Sequence, residues 1–175
     1  MFTKKGIAVS IIGACLVAST QVGAAEPVYL TVRGQRQGDI KGDVTQRGRE
    51  GSMEVTKLEL GSSGSAGARK WESLKITKHV DQATPLLLSA YFTNENLTTA
   101  TLKLWRPAAS GVEEQYLTIS LVNAQIASDR IVSDSTLTAD GKLPPSPPLE
   151  EIAFTFQKIT VTYTNPNKSV SDDWH

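Results

Sequence analysis

The side chains able to do chemistry are few here, and their spacing limits them further. His79 lies inside an alternating stretch and His175 at the last position, so no two histidines stand at metal-binding spacing. A lone strand histidine is ordinarily a packed or surface residue, and a Ser-His-Asp arrangement would have to rest on His79. Asp129, Asp134 and Asp140 do not follow the alternating ligand rhythm of a calcium loop and read as solvated loop carboxylates. The run GQRQGDIKG, Gly34 to Gly42, has spaced glycines but neither the GxGxxG pattern nor the lysine-serine ending of a phosphate loop, and no helical pattern follows it. Asn96-Leu97-Thr98 and Asn167-Lys168-Ser169 fit the N-glycosylation pattern, which matters only in a host that glycosylates such sites. The expectation is no catalytic residue, no metal and no cofactor. Weight moves from an enzyme to a binding, structural or assembly role.

The N-terminal stretch reads as an export signal. Lys4 and Lys5 precede an almost uninterrupted apolar run from Ile7 to Ala18, and Val22-Gly23-Ala24-Ala25 offers small residues to a signal peptidase. Cleavage after Ala24 or Ala25 divides the chain into a signal over residues 1–24, a domain over 25–164 and a polar tail over 165–175. The apolar run is short for a bilayer span, so no stable membrane insertion is expected. Ile12-Gly13-Ala14-Cys15 loosely resembles the box at which bacterial lipoproteins are cleaved and lipidated, with a poor match at the glycine. Simple cleavage is the stronger reading. It removes the only cysteine, leaving neither a disulfide nor a thiol nucleophile.

Composition narrows the partners. With 39% apolar and 21% charged residues in 175, the chain has one ordinary globular core and is neither disordered nor a multi-span membrane protein. Eighteen Lys and Arg balance eighteen Asp and Glu; losing Lys4 and Lys5 leaves sixteen against eighteen, a formal charge of −2. No basic stripe offsets that balance, so no nucleic-acid partner is expected.

Most of the chain reads as strand. Val28 to Val32 opens the domain, five glycines punctuate the stretch from Gly34 to Gly51 around a short strand within Asp39 to Gln46, and Met53 to Leu60 resumes alternation. Gly61 to Gly67 reads as a flexible Gly/Ser loop. Three long strands slip their period by one residue: Met53 and Val55 to Leu58 and Leu60; Leu117, Ile119 and Leu121 to Ala124 and Ile126; Phe154 and Phe156 to Ile159, Val161 and Tyr163. Such slips mark bulges in bent strands, which a closed or nearly closed barrel requires. Ser128 to Glu151, with four prolines, reads as a long surface excursion. The fold class is therefore mainly β, a compact β-barrel of bent, bulged strands with one short α-helix packed against it.

That helix lies within Lys75 to Leu97. Pro85 suits its first position, Thr84 its cap, and Thr93-Asn94-Glu95-Asn96 its stop. Leu86, Leu87, Leu88, Ala90, Tyr91 and Phe92 spread over about 240° of its circumference, against the roughly 100° stripe of a surface helix. Either it sinks deeply into its own domain or it also packs on a second subunit. The pattern alone favours the private core.

Several stretches together resemble one family. GDIKGDVTQRGREGSMEV, ITKHVDQATPLLLSAYFTNENLTTATLKLWRP, EEQYLTISLVNAQIAS and EEIAFTFQKITVTYT with a closing DDW look like the haemolysin-coregulated protein (Hcp) family, the tube protein of bacterial type VI secretion systems. The resemblance runs from about Val28 to Trp174, with its most specific blocks from Ile40 to Gly51 and from Ile76 to Leu87. It implies a β-barrel with one helix, six copies in a ring with a central channel, and rings stacked into a tube that a contractile sheath drives into a neighbouring cell. Spike and sheath proteins and small effectors are the implied partners, the protein itself is secreted, and no catalysis is implied. Family members normally lack a cleavable signal. With one, the chain would be an exported orphan Hcp-like β-barrel binding protein of the periplasm or medium, outside the tube; if the signal does not function, assembly is cytoplasmic before release and the tube role stands.

In a ring, Lys41, Arg47, Arg49 and Glu50 would pair across subunits, the loop glycines would admit a neighbouring backbone, and Leu86, Leu88 and Phe92 would face a second subunit. A solvated glycine-rich hairpin accounts for the loop equally well. The resemblance shifts the helix's extra apolar arc towards subunit contact.

Overall fold

The elements follow the apolar alternation. In chain order they are β1 (Val28–Gly34), β2 (Gly38–Ile40), β3 (Met53–Glu59), β4 (Ser62–Ser63), β5 (Lys70–Trp71), β6 (Leu74–His79), α1 (Thr84–Phe92), β7 (Leu97–Pro107), β8 (Glu113–Val132), β9 (Leu149–Tyr163) and β10 (Lys168–Asp173). This computed structural model describes residues 26–65, 68, 70–108, 110–133, 142 and 147–174. The expected signal with Cys15, then Asp134, Asp140 and His175, lie outside the described residues.

Every pairing among the described residues is antiparallel. β9 pairs with β6, β6 with β3, β3 with β1, β1 with β7, β7 with β8, and β8 returns to β9, which closes a six-stranded barrel. β2 extends β1, and β10 adds to β9 outside the closed circuit. Inward side chains fill the interior; Leu30, Met53, Leu74, Leu102, Leu121 and Phe154 are fully buried.

The three slips are present. The β3–β6 register shifts between Val55 and Lys57. In β8 and β9 the slips face each other: Asn123 and Gln157 drop out of the ladder at the same level, and Asn123 Nδ2 donates to Gln157 Oε1 at 2.7 Å. Asn123 has φ 49°, the left-handed region that asparagine tolerates better than most residues.

Four stretches depart from expectation. The glycine-rich stretch pairs only over β2, because residues 42–52 bond among themselves, with the Gly42 N–H donating to the Gly51 carbonyl at 2.9 Å and the Gly51 N–H to the Val44 carbonyl at 2.7 Å. The Gly/Ser loop carries a small ladder, β4 with β5. The excursion is shorter than Ser128 to Glu151, since Ser128 to Val132 pair with Ala153 to Leu149. From residue 165 the chain is no simple polar tail. It turns into β10, whose Ser169 and Ser171 hydroxyls meet those of Thr162 and Thr160 at 3.0 and 2.8 Å. Trp174 then packs edge-on against Phe156, centroids 4.9 Å apart.

α1 joins β6 to β7 and packs along β8, which among the described residues has no strand partner on the β7 side beyond Ala124. Its start differs from the expected Thr84 cap. Thr84 is the first helical residue, the N-cap is Ala83, and Asp81 Oδ1 accepts from the Ala83 N–H at 3.0 Å. At the other end Asn94 has φ 48°, its N–H donates to the Tyr91 carbonyl at 3.1 Å, and the Glu95 N–H donates to the Ala90 carbonyl at 2.8 Å. That double bond pattern with a left-handed residue ends helices by satisfying their last carbonyls.

Glu95 then fastens this helix end to the β1–β2 turn. Its buried carboxylate accepts from the N–H groups of Arg36 at 2.6 Å and Gln37 at 2.9 Å, and from Gln37 Nε2 at 3.0 Å. A Cβ at Gly34 would stand 2.6 Å from Glu95 Oε1, so only glycine lets the turn approach. Burial alone would raise the Glu95 carboxyl, but the donors from Gln37 and Arg36 outweigh it and hold it below the usual carboxylate range.

Two predictions follow from this packing. Leu87 has no exposed surface, so Leu87→Ala is expected to cost ~2–5 kcal/mol in urea unfolding, while Leu86→Ala costs about 0.5 kcal/mol or less. Because the Glu95 carboxyl is lowered on folding, it adds stability above its unfolded value of 4.5 and loses it as pH falls through the folded value. Glu95→Gln should therefore cost about 1–3 kcal/mol at pH 7, a deficit that shrinks below pH 4.5 as the wild-type carboxyl is protonated, read from denaturant titrations at both pH values.

Candidate assembly surface

Helical geometry sorts the apolar arc of α1 into an inner and an outer set. Thr84, Leu87 and Ala90 recur on the barrel side and are buried. Leu86 and Tyr91 flank that side and keep about a third or more of their surface, Phe92 keeps 76%, and the Tyr91 and Phe92 rings lie 5.7 Å apart. Leu88 is half-buried between the two sets. Of the side chains expected at a subunit contact, Leu86 and Phe92 are thus on the open face and Leu88 lies at its margin.

The glycine-rich loop is folded onto its own barrel. A Cβ at Gly42 would lie 2.5 Å from Met53 Cγ and 2.6 Å from the Ser52 carbonyl, so this close approach is within the chain. Lys41 and Glu50 line one shallow surface groove of about 270 Å³ with Arg33 and Asp39, while Arg47 is exposed elsewhere on the loop. Arg49 turns inward instead. Its guanidinium stacks over the rings of Trp105 at 3.8 Å and Tyr29 at 4.7 Å and pairs with Glu113 at 2.6 Å. Those partners belong to β1, β7 and β8, so Arg49 pins the loop to three strands.

His79 is exposed at a surface groove beside Tyr29, Asp43, Glu54 and Asp81, and no hydrogen bond reaches its imidazole among the described residues. Asp129 is not a solvated loop carboxylate: it stands in β8, half-buried, with its carboxyl turned towards Glu150.

The charged cluster around Lys78 is the feature sequence reasoning passed over. Lys78 of β6 and Glu150 of β9 have no exposed surface, and Lys78 Nζ lies 2.6 Å from Glu150 Oε2 and 2.7 Å from Asp81 Oδ1. Thr84 Oγ1, at the start of α1, donates to Glu150 Oε2 at 2.6 Å and accepts from the Asp81 N–H at 3.2 Å. Alternation carries the signal. Leu74 and Ile76 place position 78 on the inward face, as Ile152 and Phe154 do position 150.

Known proteins match this fold and its sequence together. The family described as "Type VI secretion system effector, Hcp" matches residues 29–163. The Major exported protein of Pseudomonas aeruginosa is 30% identical over 167 residues, which cover 86% of this chain and 96% of that one. Among solved structures, a doubly substituted Hcp1 protein from E. coli EAEC 042 aligns with a TM-score of 0.71 at 30% identity, covering 86% of this chain and 99% of its own. The secreted protein Hcp3 from Pseudomonas aeruginosa aligns with a TM-score of 0.73 at 29% identity, with coverage of 86% and 99%. Barrel, single helix and sequence agree over the same span, and the chain belongs to the Hcp family of type VI secretion proteins.

Proposed function

We propose that this chain forms hexameric rings that stack into the inner tube of a type VI secretion system and carry small effectors in their channel. The family is one of secreted structural proteins rather than enzymes, and the outward face of α1 is the observation that carries the reading to assembly. Leu86, Tyr91 and Phe92 leave apolar surface exposed on a short helix, where a monomer gains nothing from exposing a ring as large as that of Phe92. Among the described residues, β8 beyond Ala124 and the outer side of β10 have no strand partner, and they lie on opposite sides of the β8–β9 pair. Non-equivalent surfaces on opposite sides suit a head-to-tail contact, which closes into a ring when its rotation permits.

Lys41, Arg47 and Glu50 join this surface as rim charges that orient neighbouring subunits, with Leu86, Leu88 and Phe92 as its apolar part. Arg49 acts from behind, by holding their loop in place. In this role residues 1–24 do not act as an export signal, the subunits assemble in the cytoplasm before release, and the spike and sheath proteins are partners of the stacked rings.

Native mass spectrometry of the chain lacking residues 1–24 is expected to give a particle near six times the subunit mass. Phe92→Arg should yield monomers whose unfolding midpoint by circular dichroism is close to that of the parent. A parent protein that is monomeric at micromolar concentration would sink the ring and leave the exported orphan barrel.

A further inference from the structure

Beside Lys78, three oxygens of one carboxyl pair lack a donor among the described residues. Asp129 of β8 and Glu150 of β9 are diagonal neighbours across the ladder, since Asp129 pairs with Ile152 and Ile131 with Glu150. Both oxygens of Asp129 and Oε1 of Glu150 are buried, and none accepts a hydrogen bond among the described residues. Two ionised carboxylates are costly side by side in such a place, whereas one proton between them gives each a partner. We propose that Asp129 and Glu150 share a proton, and that this proton is a latch holding the start of α1 and the ends of β8 and β9 to the barrel, loosened as the solution turns from acidic to mildly alkaline.

The surrounding charges explain why losing the proton matters. From β6, Lys78 already serves two carboxylates, Glu150 Oε2 at 2.6 Å and Asp81 Oδ1 at 2.7 Å on the turn before α1. From α1, Thr84 donates its hydroxyl proton to the same Glu150 oxygen. Ionising Asp129 would set three carboxylates around one ammonium. Arg130 gives no relief, because it pairs with Glu151 on the other face of the ladder. Burial, then the neighbouring Glu150 carboxyl, push the Asp129 carboxyl up from 3.8 to about 7, with Lys78 opposing them.

A carboxyl raised on folding stabilises the closed arrangement fully below its unfolded value of 3.8, and that contribution is lost as pH rises to about 7. Above that the dependence is flat. The elements tied together here are the β6–α1 turn, the first turn of α1 and the base of the 133–148 connection, so ambient pH would set how firmly the helix is seated. The latch stands apart from ring formation and holds equally for a single subunit.

Hydrogen–deuterium exchange of the full chain at pH 5, 6, 7 and 8, corrected for intrinsic exchange rates, tests it against Asp129→Asn. The variant cannot ionise and keeps an N–H donor for Glu150. Opening of peptides covering residues 80–90 and 126–133 is expected to increase about tenfold or more from pH 5 to pH 8 in the parent relative to the variant. Carbon-13 NMR should find the Asp129 carboxyl titrating near 7 in the parent, which decides the matter even if the variant fails to fold. The same pH response in both proteins, an Asp129 carboxyl titrating near 4, or opening at constant pH on addition of EDTA would each overturn the proposal, the last by putting a divalent cation where the proton is placed.

Discussion

Closure of the barrel depends on the ladder between β8 and β9. It runs from Leu117 opposite Tyr163 to Val132 opposite Leu149, and without it the remaining pairings leave an open sheet with β8 and β9 as edges. Strands this long stay bonded round a barrel only by bending. The ladder accommodates this by leaving Asn123 and Gln157 unpaired opposite each other and by a register shift between Ile126 and Ser128. Each of these two residues is tied down on its far side: Asn96 Nδ2 donates to Asn123 Oδ1 at 3.3 Å, and the Trp174 N–H donates to the Gln157 carbonyl at 2.9 Å. The level at which the sheet turns is therefore the level at which β7 begins and the described chain ends.

From that bend the placement of α1 follows. Leu97 opposite Ala124 is the last β7–β8 pair, so β8 continues beyond Ala124 with its side towards β7 uncovered. α1 lies in this gap, with Leu87 and Ala90 in the core. A helix in the place of a strand shields apolar side chains but pairs no β8 backbone groups, and its own outer residues face away from the barrel. The arc of about 240° that is too wide for one core is the result: one part fills the gap, the other stands outside.

How much of this was legible depended on whether a segment has one wet face and one dry one. The slips near Thr56, Asn123 and Gln157 could be read because apolar residues flank each on alternating faces. Ser128 to Val132 and Lys168 to Asp173 could not, because backbone pairing holds them while most of their side chains stay in water, and no period survives. Arg49 was grouped with Lys41, Arg47 and Glu50 by charge alone. Its aromatic partners Tyr29 and Trp105 are brought to it only by folding, and nothing local separates an inward arginine from outward neighbours. Lys78 and Glu150 differ: the alternation that located Ile76 and Ile152 also put both charges inside.

Those buried charges are a poor source of stability, since each ion gives up several kcal/mol of hydration that its partner does little more than offset. Their geometry explains their value better. An apolar contact between β6, β9 and the start of α1 would tolerate sliding, because dispersion has little direction. Lys78 instead requires Glu150 on one strand, Asp81 on the turn and the Thr84 hydroxyl on the helix at the same time. A helix shifted by one residue would remove the Thr84 and Asp81 partners and leave a buried ammonium under-satisfied. The cluster thus fixes the rotation and height of α1, and with them which of its apolar residues face outward. Whatever docks on Leu86, Tyr91 and Phe92 meets a surface whose orientation is set from inside the barrel.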